Sequence, residues 1–165
     1  SANANEWTKP LSIKDWTYGQ TPSQPSAQAK YGSDRIQYAY FDKNGNWIKE
    51  VPENAGEYYV YAYVLGTPDY EGLKGQAVSF EIRKAENEWT IEPSVKDIVY
   101  GQSLNPIGEA KHGTVKFEYA EQGSSNWSNE APTQAGTYQW RAVVEGLDNY
   151  NDLTASGSVT IAKKA

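Results

Sequence analysis

The side chains able to do chemistry are few. One histidine, His112, and no cysteine occur among 165 residues, so nucleophilic triads and thiolate zinc sites lack their parts. Where the second half of the chain has His112, the first half has Tyr31, and a position that accepts tyrosine is a poor general base. Asp42-Lys43-Asn44-Gly45-Asn46 resembles the opening of a calcium loop, with Glu53 following. An EF-hand needs glycine at its sixth position, where Trp47 stands, so a tight turn is expected instead. Asp148-Asn149-Tyr150-Asn151-Asp152 is rich enough in oxygens for a weak calcium ion, but the first half has Pro68-Asp69-Tyr70-Glu71-Gly72 there, which favours a plain turn. Lys14-Asp15 and Lys96-Asp97 recur as pairs and raise the possibility of a lysine crosslink to asparagine; alternation puts both lysines in solvated positions. No cofactor, metal site or catalytic residue is expected, and the chain reads as a non-enzyme.

The one concentration that invites a binding role is aromatic. In Tyr58-Tyr59-Val60-Tyr61-Ala62-Tyr63, strand alternation sends Tyr58 to the core and Tyr59, Tyr61 and Tyr63 together to the opposite face. The second half has Gln139, Arg141 and Val143 at those places. Such a stripe suits ring stacking against a glycan or contact with a host protein. It suits equally the mutual packing of aromatic rings across strands.

Those side chains sit on a repeated frame. Asn5-Glu6-Trp7-Thr8 returns as Asn87-Glu88-Trp89-Thr90, and Tyr18-Gly19-Gln20 as Tyr100-Gly101-Gln102. Ala29-Lys30-Tyr31-Gly32 becomes Ala110-Lys111-His112-Gly113, and Ala55-Gly56 with Tyr58 becomes Ala135-Gly136 with Tyr138. Tyr70, Leu73 and Ile82 match Tyr150, Leu153 and Ile161. The spacing between equivalents drifts downward, as loop deletions would make it. Two domains are expected, residues 1–84 and 85–165, joined at the charged stretch Arg83-Lys84-Ala85-Glu86 by a short, stiff link that would make an elongated rod.

Period-two alternation dominates. Ile36, Tyr38 and Tyr40 share a face, as do Val115, Phe117 and Tyr119. Asp42 to Asn46 supplies Asn-Gly turn chemistry before the return at Trp47-Ile48, because both residues tolerate positive φ. Residues 57–65 form the longest expected strand, and a second hairpin leads through Gly66 to Gly75 into residues 76–83. The one candidate helical stretch, 70–78, is broken by Gly72 and Gly75. Helices are therefore not expected, which disfavours a β-grasp and favours a two-sheet sandwich in each copy. Trp47 and Trp127 recur after turns, and Trp7 and Trp89 before the first strand, so packing roles are expected for all four. Trp16 becomes Ile98, as at a core position that takes any large hydrophobe.

Net charge is −6, which repels a phosphate backbone, so nucleic acid is not expected as a partner. Residues 1–84 carry 9 basic and 10 acidic side chains (net −1), residues 85–165 carry 6 and 11 (net −5). The copies thus share a scaffold but not a surface. No run of about 18 apolar residues occurs, so membrane insertion is not expected in this segment. Without Met or a signal peptide it reads as a piece of a larger protein whose export signal or wall anchor lies elsewhere.

Asn54-Ala55-Gly56-Glu57-Tyr58-Tyr59-Val60 and Gln134-Ala135-Gly136-Thr137-Tyr138-Gln139-Trp140 resemble the tyrosine corner of immunoglobulin-like sandwiches. Val60 and Trp140 stand where antibody domains place a cysteine, so the resemblance is to the disulfide-free bacterial immunoglobulin-like domains. Together, Tyr18-Gly19-Gln20, Ala29-Lys30-Tyr31-Gly32, Ala55-Gly56-Glu57-Tyr58 and Val64-Leu65-Gly66-Thr67-Pro68-Asp69-Tyr70 resemble the MBG-type (YGX) repeats of bacterial surface proteins. That resemblance implies an all-β pair of tandem immunoglobulin-like β-sandwich domains. It implies an extracellular, cell-surface or cell-wall location, no catalytic residues, and neighbouring domains of a parent protein as partners. Two functions remain open: a spacer or adhesin-like segment, and a glycan- or host-protein-binding module that uses Tyr59, Tyr61 and Tyr63.

Overall fold

Fourteen strands and one 3-10 turn, Ser33–Arg35, make up the regular structure, and no α-helix forms. The structure is a computed structural model that describes all residues from Ser1 to Ala165. Its backbone divides into two compact units, Ser1–Ala85 and Glu86–Ala165.

Unit 1 contains β1 (Trp7–Ser12), β2 (Trp16–Thr17), β3 (Ser26–Ala29), β4 (Gln37–Asp42), β5 (Trp47–Ile48), β6 (Gly56–Val64), β7 (Leu73–Lys74) and β8 (Val78–Arg83). β1 and β3 pair as a two-stranded sheet, and the larger sheet runs β2-β8-β6-β4-β5, with β7 also paired to β6. Every pairing is antiparallel except β2 with β8, where Trp16 lies opposite Ile82. Unit 2 repeats the plan with β9 (Trp89–Ser94), β10 (Ile98–Val99), β11 (Ile107–Ala110), β12 (Lys116–Glu121), β13 (Gly136–Val144) and β14 (Leu153–Ala162). Its sheets are β9 with β11, and β10-β14-β13-β12 with β10 parallel to β14. The hairpin partner of β12 shrinks to a single bridge, Tyr119 to Ser128.

Each unit is a sandwich of unequal halves. Leu11 of the small sheet packs on a core of Trp16, Tyr40, Val60, Phe80 and Ile82 from the larger one. Trp89 does the same over Tyr119, Trp140, Val159 and Ile161 of the larger sheet and Leu104 of the segment between β10 and β11. Burying each such aliphatic side chain contributes about 1.5–3 kcal/mol. Phe80 is the hub of unit 1, stacked on Trp16 at 5.3 Å and on Tyr58 at 5.7 Å between ring centroids. In unit 2 the hub has moved: Val159 replaces Phe80, Ile98 replaces Trp16, and Trp140 fills the space from the place of Val60. Gly157, opposite Trp140, replaces the Val78 opposite Val60.

The repeated motifs of the sequence prove to be scaffold clamps. Asn5 donates to the Tyr31 carbonyl at 2.9 Å and accepts from its N–H at 3.0 Å; Asn87 holds His112 in the same way, at 2.9 and 3.1 Å. The Tyr58 hydroxyl donates to the Asn54 carbonyl and the Tyr138 hydroxyl to that of Gln134, each at 2.7 Å. Gly32 and Gly113 adopt φ of 79° and 84°, where a side chain is strained. A Cβ there would also meet Val64 at 2.8 Å or Val144 at 2.7 Å.

Between β7 and β8 the ladder slips. Tyr63 faces Lys74 but Val60 faces Val78, so Gly75, Gln76 and Ala77 oppose only Tyr61 and Ala62. β14 runs unbroken from Leu153 to Ala162. The single extra residue is a β-bulge, and it accounts for the last step of the drift between the copies, which loop deletions had been expected to explain.

Candidate interaction face

The outer face of the larger sheet in unit 1 is built by alternation on four strands. Tyr59, Tyr61 and Tyr63 do share it, since their partners across the sheet on β4 are Phe41, Ala39 and Gln37. Phe41 is in turn opposite Trp47 of β5, and Tyr59 opposite Ser79 of β8. A row Trp47-Phe41-Tyr59 therefore crosses the sheet, with Trp47 and Tyr59 separated by two strand spacings, about 9.6 Å.

The three tyrosines differ in availability. Tyr61 stacks on Phe41 at 5.5 Å, and the Lys74 ammonium sits 4.7 Å from the centre of its ring. Tyr63 lies 5.9 Å from Tyr61 and donates its hydroxyl to Gln37 Oε1 at 2.7 Å. These two are held by neighbours, and Tyr61 stands opposite the buried Ala39. Tyr59 is 40% exposed, so of the three it is the ring most open to a partner.

Trp47 overturns the packing role expected for it, being 65% exposed. Its counterpart Trp127 is only half-buried, under the Arg141 guanidinium at 4.1 Å, and Glu118 fixes that arginine at 3.1 Å. Unit 1 has Tyr61 where unit 2 has Arg141, and Tyr61 leans on Phe41, so nothing equivalent covers Trp47. Trp7 and Trp89 are half-buried and Trp16 is 4% exposed.

Beside Tyr59 lies a shallow cleft of about 320 Å³ lined by Asp15, Glu57, Tyr59, Ser79 and Glu81. Glu57 and Glu81 are exposed and directly opposite each other on β6 and β8. Neither takes part in an ion pair. Asp15 accepts the Glu81 N–H at 2.8 Å, as Asp97 accepts that of Thr160. This clasp between β2 and β8 is the reason for the recurring aspartate, and residue spacing alone had not revealed it. Lys14 and Lys96 are exposed.

The remaining chemical candidates are absorbed by local structure. Asp42 Oδ1 accepts from the N–H groups of Asn44 and Asn46, both at 2.9 Å, and Oδ2 accepts from the Asn46 amide at 3.2 Å. The Asn46 hydrogen bond is the largest of the effects holding this carboxyl below its ordinary value. Gly45 closes the turn with φ of 85°. Asn151 donates to Glu86 at 3.0 Å. No three His, Cys, Asp or Glu side chains converge as metal ligands. His112 stacks on Tyr150 with centroids 3.7 Å apart, as Tyr31 stacks on Tyr70 at 6.0 Å. Burial raises the hydroxyls of Tyr38, Tyr40, Tyr58 and Tyr119 above their usual pKa.

Neither a family model nor a curated protein sequence matches the chain. Among solved structures it is similar to the fibronectin(III)-like modules of Clostridium thermocellum CbhA, at 11% identity over 96% of this chain and 94% of that one, with a TM-score of 0.29. It is similar also to a chimeric titin Z1Z2-Z1Z2 tandem, at 13% identity over 98% and 100%, with a TM-score of 0.28. Both alignments are loose, and the all-β architecture of each unit stands on its own strand pairing.

Proposed function

We propose that the chain is a non-catalytic tandem module of the MBG-type kind in a bacterial surface or secreted protein, and that it serves as a spacer between neighbouring domains. The observation that carries this reading is the identity of what repeats. The asparagine clamp, the aspartate clasp, the tyrosine corner and the crowded glycine occur in both units. On the outer face of the larger sheet, by contrast, Phe41, Glu57, Tyr59, Tyr61, Tyr63 and Glu81 are not repeated. Pulling on the whole chain in a force microscope tests it. Two separate unfolding events are expected, each releasing roughly 290 Å of contour for about eighty residues. One merged event, or release at the lowest loads, counts against load-bearing units in series.

A second reading, a binding module for a glycan or host protein, is favoured by the openness of Trp47 and Tyr59 on a face that unit 2 fills with Glu118, Arg141 and Trp127. Screening the chain on glycan and matrix-protein arrays, with Tyr59→Gln as control, tests it. Signal lost on substitution supports the face; silence from the array removes it.

A further inference from the structure

We infer that the partner of this face is a basic protein segment, an arginine or lysine side chain lying on Tyr59 with its cationic head between Glu57 and Glu81. The inference rests on the binding reading and names the chemistry of the partner. Carboxylates directly opposite on neighbouring strands have Cβ atoms about 4.5–5.5 Å apart and destabilise the sheet. Neither carboxylate of the pair forms an ion pair within unit 1; Arg83, two residues along β8, contacts Asp15 at 3.9 Å instead.

Unit 2 shows that the fold does not need the arrangement. Thr137 and Thr160 replace Glu57 and Glu81, Gln139 replaces Tyr59, and Ala120 replaces Phe41. Acid pair and open aromatics thus occur together in one copy and are absent together from the other. A neutral sugar satisfies the aromatic ring but leaves two like charges opposed. A guanidinium satisfies both, since it stacks on an aromatic face and bonds carboxylates in a planar fork. Ser79, opposite Tyr59 in the same cleft, offers a further acceptor.

The test is titration of the isotope-labelled whole chain, followed by amide NMR shifts, with a capped hexa-arginine peptide and separately with cellohexaose. The expected result is peptide-induced shifts centred on Glu57, Tyr59, Ser79 and Glu81. The Glu57→Thr/Glu81→Thr double variant should bind about tenfold more weakly, and Tyr59→Gln about two- to fivefold more weakly. Unit 2 is the built-in control, because its net charge is −5 against −1 for unit 1. Undirected attraction would place the shifts there, and that outcome, or shifts spread over both units, overturns the inference. Shifts at the face with cellohexaose and none with the peptide overturn the basic partner while leaving a binding face. Silence with both removes the inference together with the reading beneath it.

Discussion

Replacing Gly157 by alanine probes the packing logic that separates the two cores. The backbone at Gly157 is not in the positive-φ region, so alanine suits it conformationally. By loss of chain entropy in the unfolded state alone, the change would stabilise by about 0.4–1 kcal/mol. Space dictates the opposite. The new methyl would stand 2.7 Å from Trp140 Cζ2, 2.8 Å from Cε2 and 2.9 Å from Nε1. Favourable carbon contacts begin near 3.5 Å, so the ring would have to retreat by about 0.8 Å. The indole is 6% exposed and backed by Phe117 at 6.0 Å, which leaves it little room. Overpacking of this kind costs about 1–3 kcal/mol. For a unit of this size that lowers the melting midpoint by about 4–8 °C per kcal/mol.

Trp140→Val alone should be destabilising by opening a cavity, by somewhat less than the ~3–5 kcal/mol of a Trp→Ala truncation. Trp140→Val with Gly157→Val recreates the Val60 and Val78 pair of unit 1, and the two changes should couple favourably by about 1–3 kcal/mol relative to their sum. Hydrogen exchange in increasing urea, read on peptides from each unit, measures the cycle while unit 1 serves as its reference. A stabilised Gly157→Ala protein, or a strictly additive cycle, would falsify this account of the core.

Three further outcomes are expected. Tyr58→Phe and Tyr138→Phe should each lower the stability of their own unit by about 0.5–1.5 kcal/mol through loss of the corner hydrogen bond, measurable by the same exchange experiment. Asn87→Ala removes a buried carboxamide and leaves the His112 N–H and carbonyl and the Glu88 N–H without it, and should cost about 1–3 kcal/mol; Asn5→Ala, at a more exposed site, should cost less. Asp42 has its folded pKa depressed below 3.8, mainly by the Asn46 hydrogen bond. Its contribution is therefore complete above that value and is lost as pH falls through the lower folded value. Carboxyl NMR titration should give a midpoint below 3.8, and the loop N–H shifts of Asn44 and Asn46 should move with it.

Strands and corners were legible because the chain states them twice. Alternation placed Val60, Ala62 and Val64 inside, and the shared Ala-Gly-x-Tyr motif marked the corner. The unequal halves of the sandwich were not legible, since β1 and β3 carry only sparse apolar residues. The bulge left a trace in the spacing between copies, but a one-residue slip inside a ladder leaves the same trace as a shortened loop. The exposure of Trp47 was not legible, because recurrence of a residue does not carry its lid with it. The lid over Trp127 is Arg141, whose counterpart Tyr61 turns to Phe41. The acid pair was not legible because Glu57 and Glu81 are far apart in sequence, and only the register of β6 on β8 makes them neighbours.

The two kinds of difference between the copies carry different information. Inside, each substitution is answered by another: Trp140 arrives with Gly157, and Val159 and Ile98 take the places of Phe80 and Trp16. Such exchanges leave the outer surface untouched, so they say how the scaffold tolerates drift and nothing about partners. On the outer face of unit 1 the exchanges go unanswered. Glu57 and Glu81 face each other without a cation, and Trp47 has no cover. In a fold that elsewhere balances its exchanges, side chains that oppose folding and have no internal compensation are the ones to assign to an external ligand. Glu57→Thr/Glu81→Thr makes the argument quantitative. Copying the threonine pair of unit 2 should stabilise unit 1 by about 0.2–1 kcal/mol while weakening its hold on a basic peptide. A variant that loses stability would show that the acids serve the fold, and the case for a partner would fall with it.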